Sequence, residues 1–332
     1  MGRTRWARGG RVAVLLAGLA LLLSGCSRQD WEKRLRFGWP TGVTKQATEM
    51  RELWTWAGVV ALFLGVIVWG LIFWCCIRYR KKSDELPRQT KYNFTIEAIC
   101  VIVPLFIIAG LFYRTVIVED DVNHLSANPD VKIEVDAFKW NWQFQYETYR
   151  YGGASQATGL TYPGRQDPGN SEKGHPYHLS TVGSQQEIPV LVVPVNQTVQ
   201  IREQSYDVIH SFWVPEFLFK RDVIPYGENA DGSWNTDRDN RFEFTATSTG
   251  HFVGRCAELC GTYHSQMNFE VRVVSAQTFT KYLAALKSLG PDDPARQAKA
   301  LKMSGQSPYA TTTFPFITDR RARQASDPGD TQ

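Results

Sequence analysis

Hydrophobic and polar positions divide the chain into two unlike halves. Before residue 120 the apolar residues come in unbroken blocks, at 12–23, 53–77 and roughly 95–118. The second block, LWTWAGVVALFLGVIVWGLIFWCCI, carries no charge and is long enough to cross a hydrocarbon core of about 30 Å. Trp54, Trp56 and Trp74 lie near its ends, where aromatic belts sit. The third block is long enough too, with Glu97 near its start, Pro104 inside and Arg114 near its end. Pro104 predicts a kink that neighbouring helices can accommodate.

From residue 131 the period changes to two. KWNWQFQY places Trp140, Trp142, Phe144 and Tyr146 on one face of a strand. Further strands are expected at 131–138, 188–193, 198–203, 208–214, 241–246, 251–255 and 268–274, with turn residues between them. Many short strands in one stretch predict a β-sandwich or barrel. Residues 147–187, rich in Gly, Pro, Ser and Tyr, read as an insertion between strands. Residues 275–289 suit a short amphipathic helix, and the segment 290–332 is expected to be irregular. The predicted organisation is a leader at 1–25, an external segment at 26–52, a two-helix transmembrane hairpin at 53–118 with its loop at 78–94, and an all-β external domain at 119–289.

Charge orients this arrangement. Arg78, Arg80, Lys81, Lys82, Arg88 and Lys91 make the loop between the spans strongly basic, so it is expected on the cytoplasmic side, with both flanks outside. The first block agrees. Arg3, Arg5, Arg8 and Arg11 precede a short apolar run that ends in Leu23-Ser24-Gly25-Cys26, the form of a secretory signal. The cysteine after Gly25 resembles a bacterial lipobox, which implies cleavage before Cys26 and lipid on its thiol. Four of the 37 basic residues leave with that leader, so basic and acidic residues balance at 33 each. A neutral chain with no basic stripe offers nothing to nucleic acid. Glu97 has two readings, a carboxylate on a proton path or one that marks the headgroup level.

Candidate chemistry concentrates in GRCAELCGTYHSQM, residues 254–267. Of six cysteines, Cys26 is the lipid site and Cys75, Cys76 and Cys100 lie in the spans, which leaves Cys256 and Cys260 outside. A disulfide between them would close a very small loop and leave His264 and Met267 without a role. Zinc could take Cys256, Cys260, His264 and a fourth ligand. Thiolate, imidazole and thioether together favour copper. His210, in a strand-like run before Pro215, is the best-placed remote ligand. His251 is too close to Cys256 along one strand, and His175 and His178 lie in the insertion.

DVIHSFWVP followed by GRCAELCGTYHSQM, after two spans, resembles subunit II of the haem–copper cytochrome c oxidases. The resemblance implies a cupredoxin-like Greek-key sandwich holding a dinuclear copper centre, CuA. In it Cys256 and Cys260 bridge two coppers, His210 and His264 ligate one each, and Met267 and the Glu258 carbonyl are weak ligands. The Glu258 carboxylate would hold magnesium or manganese at the boundary with subunit I. Trp140 matches the tryptophan where electrons arrive from a c-type cytochrome, although Asn141 stands where relatives often carry tyrosine. Glu97, seven residues before Pro104, matches a glutamate at the mouth of a proton channel into subunit I. The implied function is to accept electrons and pass them to the haem of subunit I, where oxygen is reduced to water with proton pumping. The implied partners are subunits I and III, membrane lipid, and a c-type cytochrome or a cytochrome bc complex with a tethered c-type haem. The lipobox and the 147–187 insertion look like the actinobacterial form. Rival readings are a membrane-anchored copper chaperone or thiol oxidoreductase, a quinol oxidase subunit that lacks the copper ligands, and a nitrous oxide reductase.

Overall fold

The computed structural model describes residues 39–313, apart from 82, 87–88, 152–153, 158–178, 185, 226–239 and 291–292. The leader, Cys26, His175 and His178 lie outside the described residues.

Helix α1 (Lys45–Arg78) has 34 residues and α2 (Phe94–Asn123) has 30. At 1.5 Å per residue they reach about 50 and 45 Å, beyond the roughly 30 Å of a hydrocarbon core. Both pass as membrane spans by length and composition. Each therefore has a surplus, and the surplus docks on the external domain. The Thr44 hydroxyl accepts from Ala47 N–H and caps α1 nine residues before the apolar block begins. That first turn buries Ala47 completely. Gln46 Oε1 accepts the Thr245 N–H at 3.2 Å, and the Val43 carbonyl accepts from Thr247 at 2.8 Å. At the end of α2, Val118 and Val122 are buried, Asn123 Oδ1 accepts from Arg221, and Ser126 donates to Glu243.

The domain is two sheets face to face. The strands are β1 (Val131–Phe138), β2 (Asn141–Tyr151), β3 (Ala154–Ala157), β4 (Ser180–Val182), β5 (Val190–Pro194), β6 (Thr198–Ser205), β7 (His210–Val214), β8 (Phe219–Val223), β9 (Arg241–Thr245), β10 (Gly250–Cys256) and β11 (Asn268–Val274). One sheet runs β3-β2-β1-β6-β9, with β4 also paired to β2, and the other runs β5-β11-β10-β7-β8. β1 with β6 and β5 with β11 are parallel, and the remaining pairs are antiparallel. The two-span hairpin followed by a sandwich is the expected architecture.

Alternation selects the core. Val131, Ile133, Val135 and Ala137 of β1 and Trp142, Phe144 and Tyr146 of β2 all point inward and are buried. Phe269 is the centre of an aromatic cluster, 5.1 Å from the Trp142 ring, 5.8 Å from Phe144 and 4.6 Å from Phe212. Burying such a ring contributes about 1.5–3 kcal/mol. Its position requires glycine at 254, where a Cβ would come within 2.1 Å of the Phe269 ring.

Two expectations need correction. Within 147–187, β2 continues to Tyr151, pairs there with β3, and pairs nearer its start with β4 on the same edge, opposite β1. These strands form a polar margin held by backbone pairing, so they leave no hydrophobic period to read. The segment from 290 is not irregular throughout. After α3 (Ala276–Ser288), capped by Ser275, comes α4 (Arg296–Met303), which buries Ala300 and Leu301. Gln297 satisfies the Val190 N–H and the Ile188 carbonyl at the start of β5. Next, the carbonyls of Ser307 and Tyr309 accept from Arg272, while Glu270 accepts from the N–H groups of Thr311 and Thr312. A helix of eight residues is too short to stand out as a period.

The Arg272–Glu270 pair is fully buried. Arg272→Ala should leave the carboxylate without its charge partner and cost about 3–5 kcal/mol in urea unfolding. A second buried acid has a pH signature. Asp136 on β1 accepts from Gln204 and Gln145, and burial, then the neighbouring Glu134, push its carboxyl up from 3.8 to about 7. The folded chain keeps a proton that the unfolded chain releases. This contribution to stability is fully present below about pH 4 and is lost as pH rises through 7. Asp136→Asn should therefore gain on the wild type in melting temperature between about pH 4 and 7.

Candidate metal centre

The site is built at the neck of the β10–β11 hairpin. Cys256 ends β10 and Asn268 opens β11, and the loop between them is closed by Cys256 N–H donating to the Met267 carbonyl at 3.1 Å. Trp142 Nε1 donates to the same carbonyl at 3.2 Å, which ties the loop to the opposite sheet. His210 opens β7, the strand paired with the end of β10 through Arg255–Trp213 and Cys256–Phe212. A one-turn 3₁₀ helix, His264–Gln266, turns His264 back over the loop.

The donor atoms converge. The Cys256 and Cys260 sulfurs are 3.7 Å apart, far beyond the roughly 2.05 Å of a disulfide. His210 Nδ1 is 3.9 Å from Cys256 Sγ, and His264 Nδ1 is 3.5 Å from Cys260 Sγ. Met267 Sδ is 3.8 Å from Cys260 Sγ, and the Glu258 carbonyl oxygen is 3.2 Å from Cys256 Sγ. His210, Cys256 and Cys260 are buried and offer ligand atoms within 4.8 Å of one another. Metal–sulfur and metal–nitrogen bonds of about 2.3 and 2.0 Å meeting near the tetrahedral angle span about 3.5–3.8 Å. The donors are therefore spaced as ligands of a shared ion are, and this thiolate, imidazole and thioether set suits copper.

Burial dominates the electrostatics of the site. Burial, then the neighbouring Cys256, push the Cys260 thiol up to about 12. Burial lowers the His210 imidazole despite the opposing pull of Asp207. For Asp207 itself burial raises the pKa, but the Lys139 N–H, His210 and the Val208 N–H together hold it below the ordinary carboxylate value. Asp207 had no assigned role in the sequence reading. Its signal was its position in DVIH, three residues before the histidine.

Trp140 sits in the turn between β1 and β2, half-buried, and its Nε1 donates to the Cys260 carbonyl at 3.1 Å. Its ring packs edge-on against Tyr263, with centroids 4.8 Å apart. A cavity of about 300 Å³ opens beside these two rings, bordered by Lys139, Asn141 and Gln266. Trp142, Phe144 and Tyr146 are core, as expected. Glu258 is half-buried. His251, near the far end of β10, bonds Thr311 instead.

Glu97 is not brought to this cluster. It lies in the first turn of α2, at the end away from the sandwich, and its Oε1 accepts the Asn93 N–H while Asn93 accepts from Ile96. That reciprocal pair is a helix cap.

Comparison with known proteins gives one consistent likeness. Residues 131–274 match the family described as cytochrome C oxidase subunit II, periplasmic domain. A probable cytochrome c oxidase subunit 2 of Nocardia farcinica is 45% identical, over 96% of this chain and 90% of its own length. Cytochrome c oxidase subunit 2 of Mycobacterium bovis is 41% identical over 98% and 93%. The crystal structure of the periplasmic domain of subunit II from Bradyrhizobium japonicum is 28% identical, over 49% of this chain and 98% of that one, with a TM-score of 0.32.

Gly261 follows Cys260 at φ +114°, and a Cβ there would meet the Trp140 ring at 3.3 Å. Gly261→Ala should strain the loop by about 1–3 kcal/mol. It should also speed alkylation of Cys260 in the metal-free chain, followed by peptide mass spectrometry, while wild-type Cys260 reacts slowly.

Proposed function

The chain belongs to the cytochrome c oxidase subunit II family, and from that premise we propose that its external domain is the electron-accepting module of a haem–copper oxidase. The observation that carries this reading is the paired donor set. Two sulfurs lie 3.7 Å apart, with one imidazole nitrogen beside each. One tetrahedral ion would use four donors. Here two thiols, two imidazoles, a thioether and a carbonyl are available, which suits two copper ions that share Cys256 and Cys260. His210 and His264 would complete one ion each, with Met267 and the Glu258 carbonyl as weak donors.

Copper held by Cys256, Cys260, His210 and His264 would supply a one-electron store. The residues of this chain do the rest. The sandwich and the hairpin neck hold the ligands still, which keeps the shape change on reduction small. Burial of Cys256, Cys260, His210 and Met267 keeps water away from the donors. Trp140 joins the surface to the site through its hydrogen bond to the Cys260 carbonyl, a short route for an electron from a c-type cytochrome or a bc complex with a tethered c-type haem. The acceptor beyond the site would be the haem of subunit I, where oxygen would be reduced to water with proton pumping. The Glu258 carboxylate would hold magnesium or manganese against subunit I. Glu97, capping α2 at the cytoplasmic end, would receive protons for a channel in subunit I, and Cys26 would carry lipid. Subunit III and the surrounding membrane complete the assembly.

The test is copper loading of the detergent-solubilised full chain. Two coppers per chain, a purple colour and a mixed-valence EPR signal are expected. Cys256→Ser or Cys260→Ser should abolish the centre, and Met267→Leu should keep both coppers but shift the potential. A colourless zinc protein or a one-copper spectrum would overturn the reading.

A further inference from the structure

Asp207 is not among the donors, yet its carboxylate touches two separate parts of the site. It lies in the bend between β6 and β7. Oδ1 is 2.8 Å from His210 Nε2, Oδ2 accepts the Lys139 N–H at 2.7 Å, and the Val208 N–H donates to Oδ1 at 2.6 Å. The bend is tied as well. Ser205 Oγ accepts the Asp207 N–H at 3.2 Å and donates to the Val208 carbonyl. Lys139 leads directly into Trp140, whose indole bonds the Cys260 carbonyl.

We propose that Asp207 is a positioning residue that locks His210 in the metal-ready tautomer and ties the Trp140 turn to the same frame. An ionised carboxylate only accepts hydrogen bonds, so Nε2 of the neutral ring must carry the proton. Nδ1 then presents its lone pair on the side where Cys256 Sγ lies 3.9 Å away. Such a partner on the outer nitrogen fixes the orientation of a ligand histidine and raises its basicity. The other oxygen makes the same carboxylate serve a second segment. One side chain thus fixes the ligand from β7 and the indole between β1 and β2. A residue that merely shaped the bend would need only its backbone and one acceptor. Asparagine at 207 keeps the size and one acceptor but turns an N–H toward the other partner, so it must give up one of the two links.

This inference rests on the copper reading above, and the experiment separates the two. In the metal-free full chain with ¹⁵N-labelled histidine and backbone amides, the His210 ring should show a slowly exchanging Nε2–H and a bare Nδ1, and Asp207→Asn should lose protection of either that proton or the Lys139 N–H. A wild-type ring protonated at Nδ1 overturns the proposal even if the variant fails to fold. With copper, measured by chelator competition, Asp207→Asn should bind about 10–100-fold more weakly. Its EPR hyperfine pattern should change on one of the two copper sites. Affinity within twofold of wild type with an unchanged spectrum also overturns the proposal. A wild-type chain that takes up no copper defeats the copper reading instead, while the ring-proton measurement still decides the role of Asp207.

Discussion

One hydrogen bond closes the metal loop. Cys256 N–H donates to the Met267 carbonyl and makes the two ends of the loop neighbours on adjacent strands. Every donor of the site except His210 lies at or between those ends. Without that closure the spacing of Cys256, Cys260, His264 and Met267 would be only a sequence pattern. With it, the two sulfurs, the imidazole and the thioether share one small volume. Trp142 donates to the same carbonyl from the other sheet, so the neck is held across the sandwich as well as within one sheet.

The sandwich makes that neck rigid. Phe269 follows the loop by two residues and packs at the centre of the aromatic cluster, with Gly254 clearing space beneath it. Any shift of β11 against β10 would disturb close-packed rings as well as a hydrogen bond, and tightly packed interiors resist such movement. β7 brings in His210 on the same terms, because its pairing with β10 puts Phe212 opposite Cys256. The proposed redox centre would gain from this, since ligands that do not move on reduction keep the energetic cost of electron transfer low.

The same rigidity extends toward the membrane. Both helices outrun the hydrocarbon thickness, and their ends dock on β8, β9 and the turn that follows β9 through Gln46, Val43, Asn123 and Ser126. The domain therefore sits on its hairpin through several bonds rather than on a loose tether. On β11, the Glu270–Arg272 pair binds residues 307–312, so those residues belong to the folded unit.

Much of this was legible in the order of residues. Uncharged length marked the spans, period two marked the strands and most of the core, and the basic loop set the orientation, because each reflects a local match between side chains and their solvent. The cysteine, histidine and methionine spacing pointed to a soft metal for a similar reason, since ligands near in sequence have few ways to be far apart. What depended on contacts between distant segments could not be read that way. The polar strands β3 and β4 and the helix α4 exist because partners elsewhere satisfy them. Glu97 turned out to cap its helix through Asn93, a bond that composition does not show. Asp207 was visible in DVIH, but its two-sided role exists only because the chain folds Lys139 and His210 to opposite oxygens of one carboxylate. Periodicity and spacing are set by neighbours along the chain, whereas shared acceptors and sheet margins are set by neighbours in space.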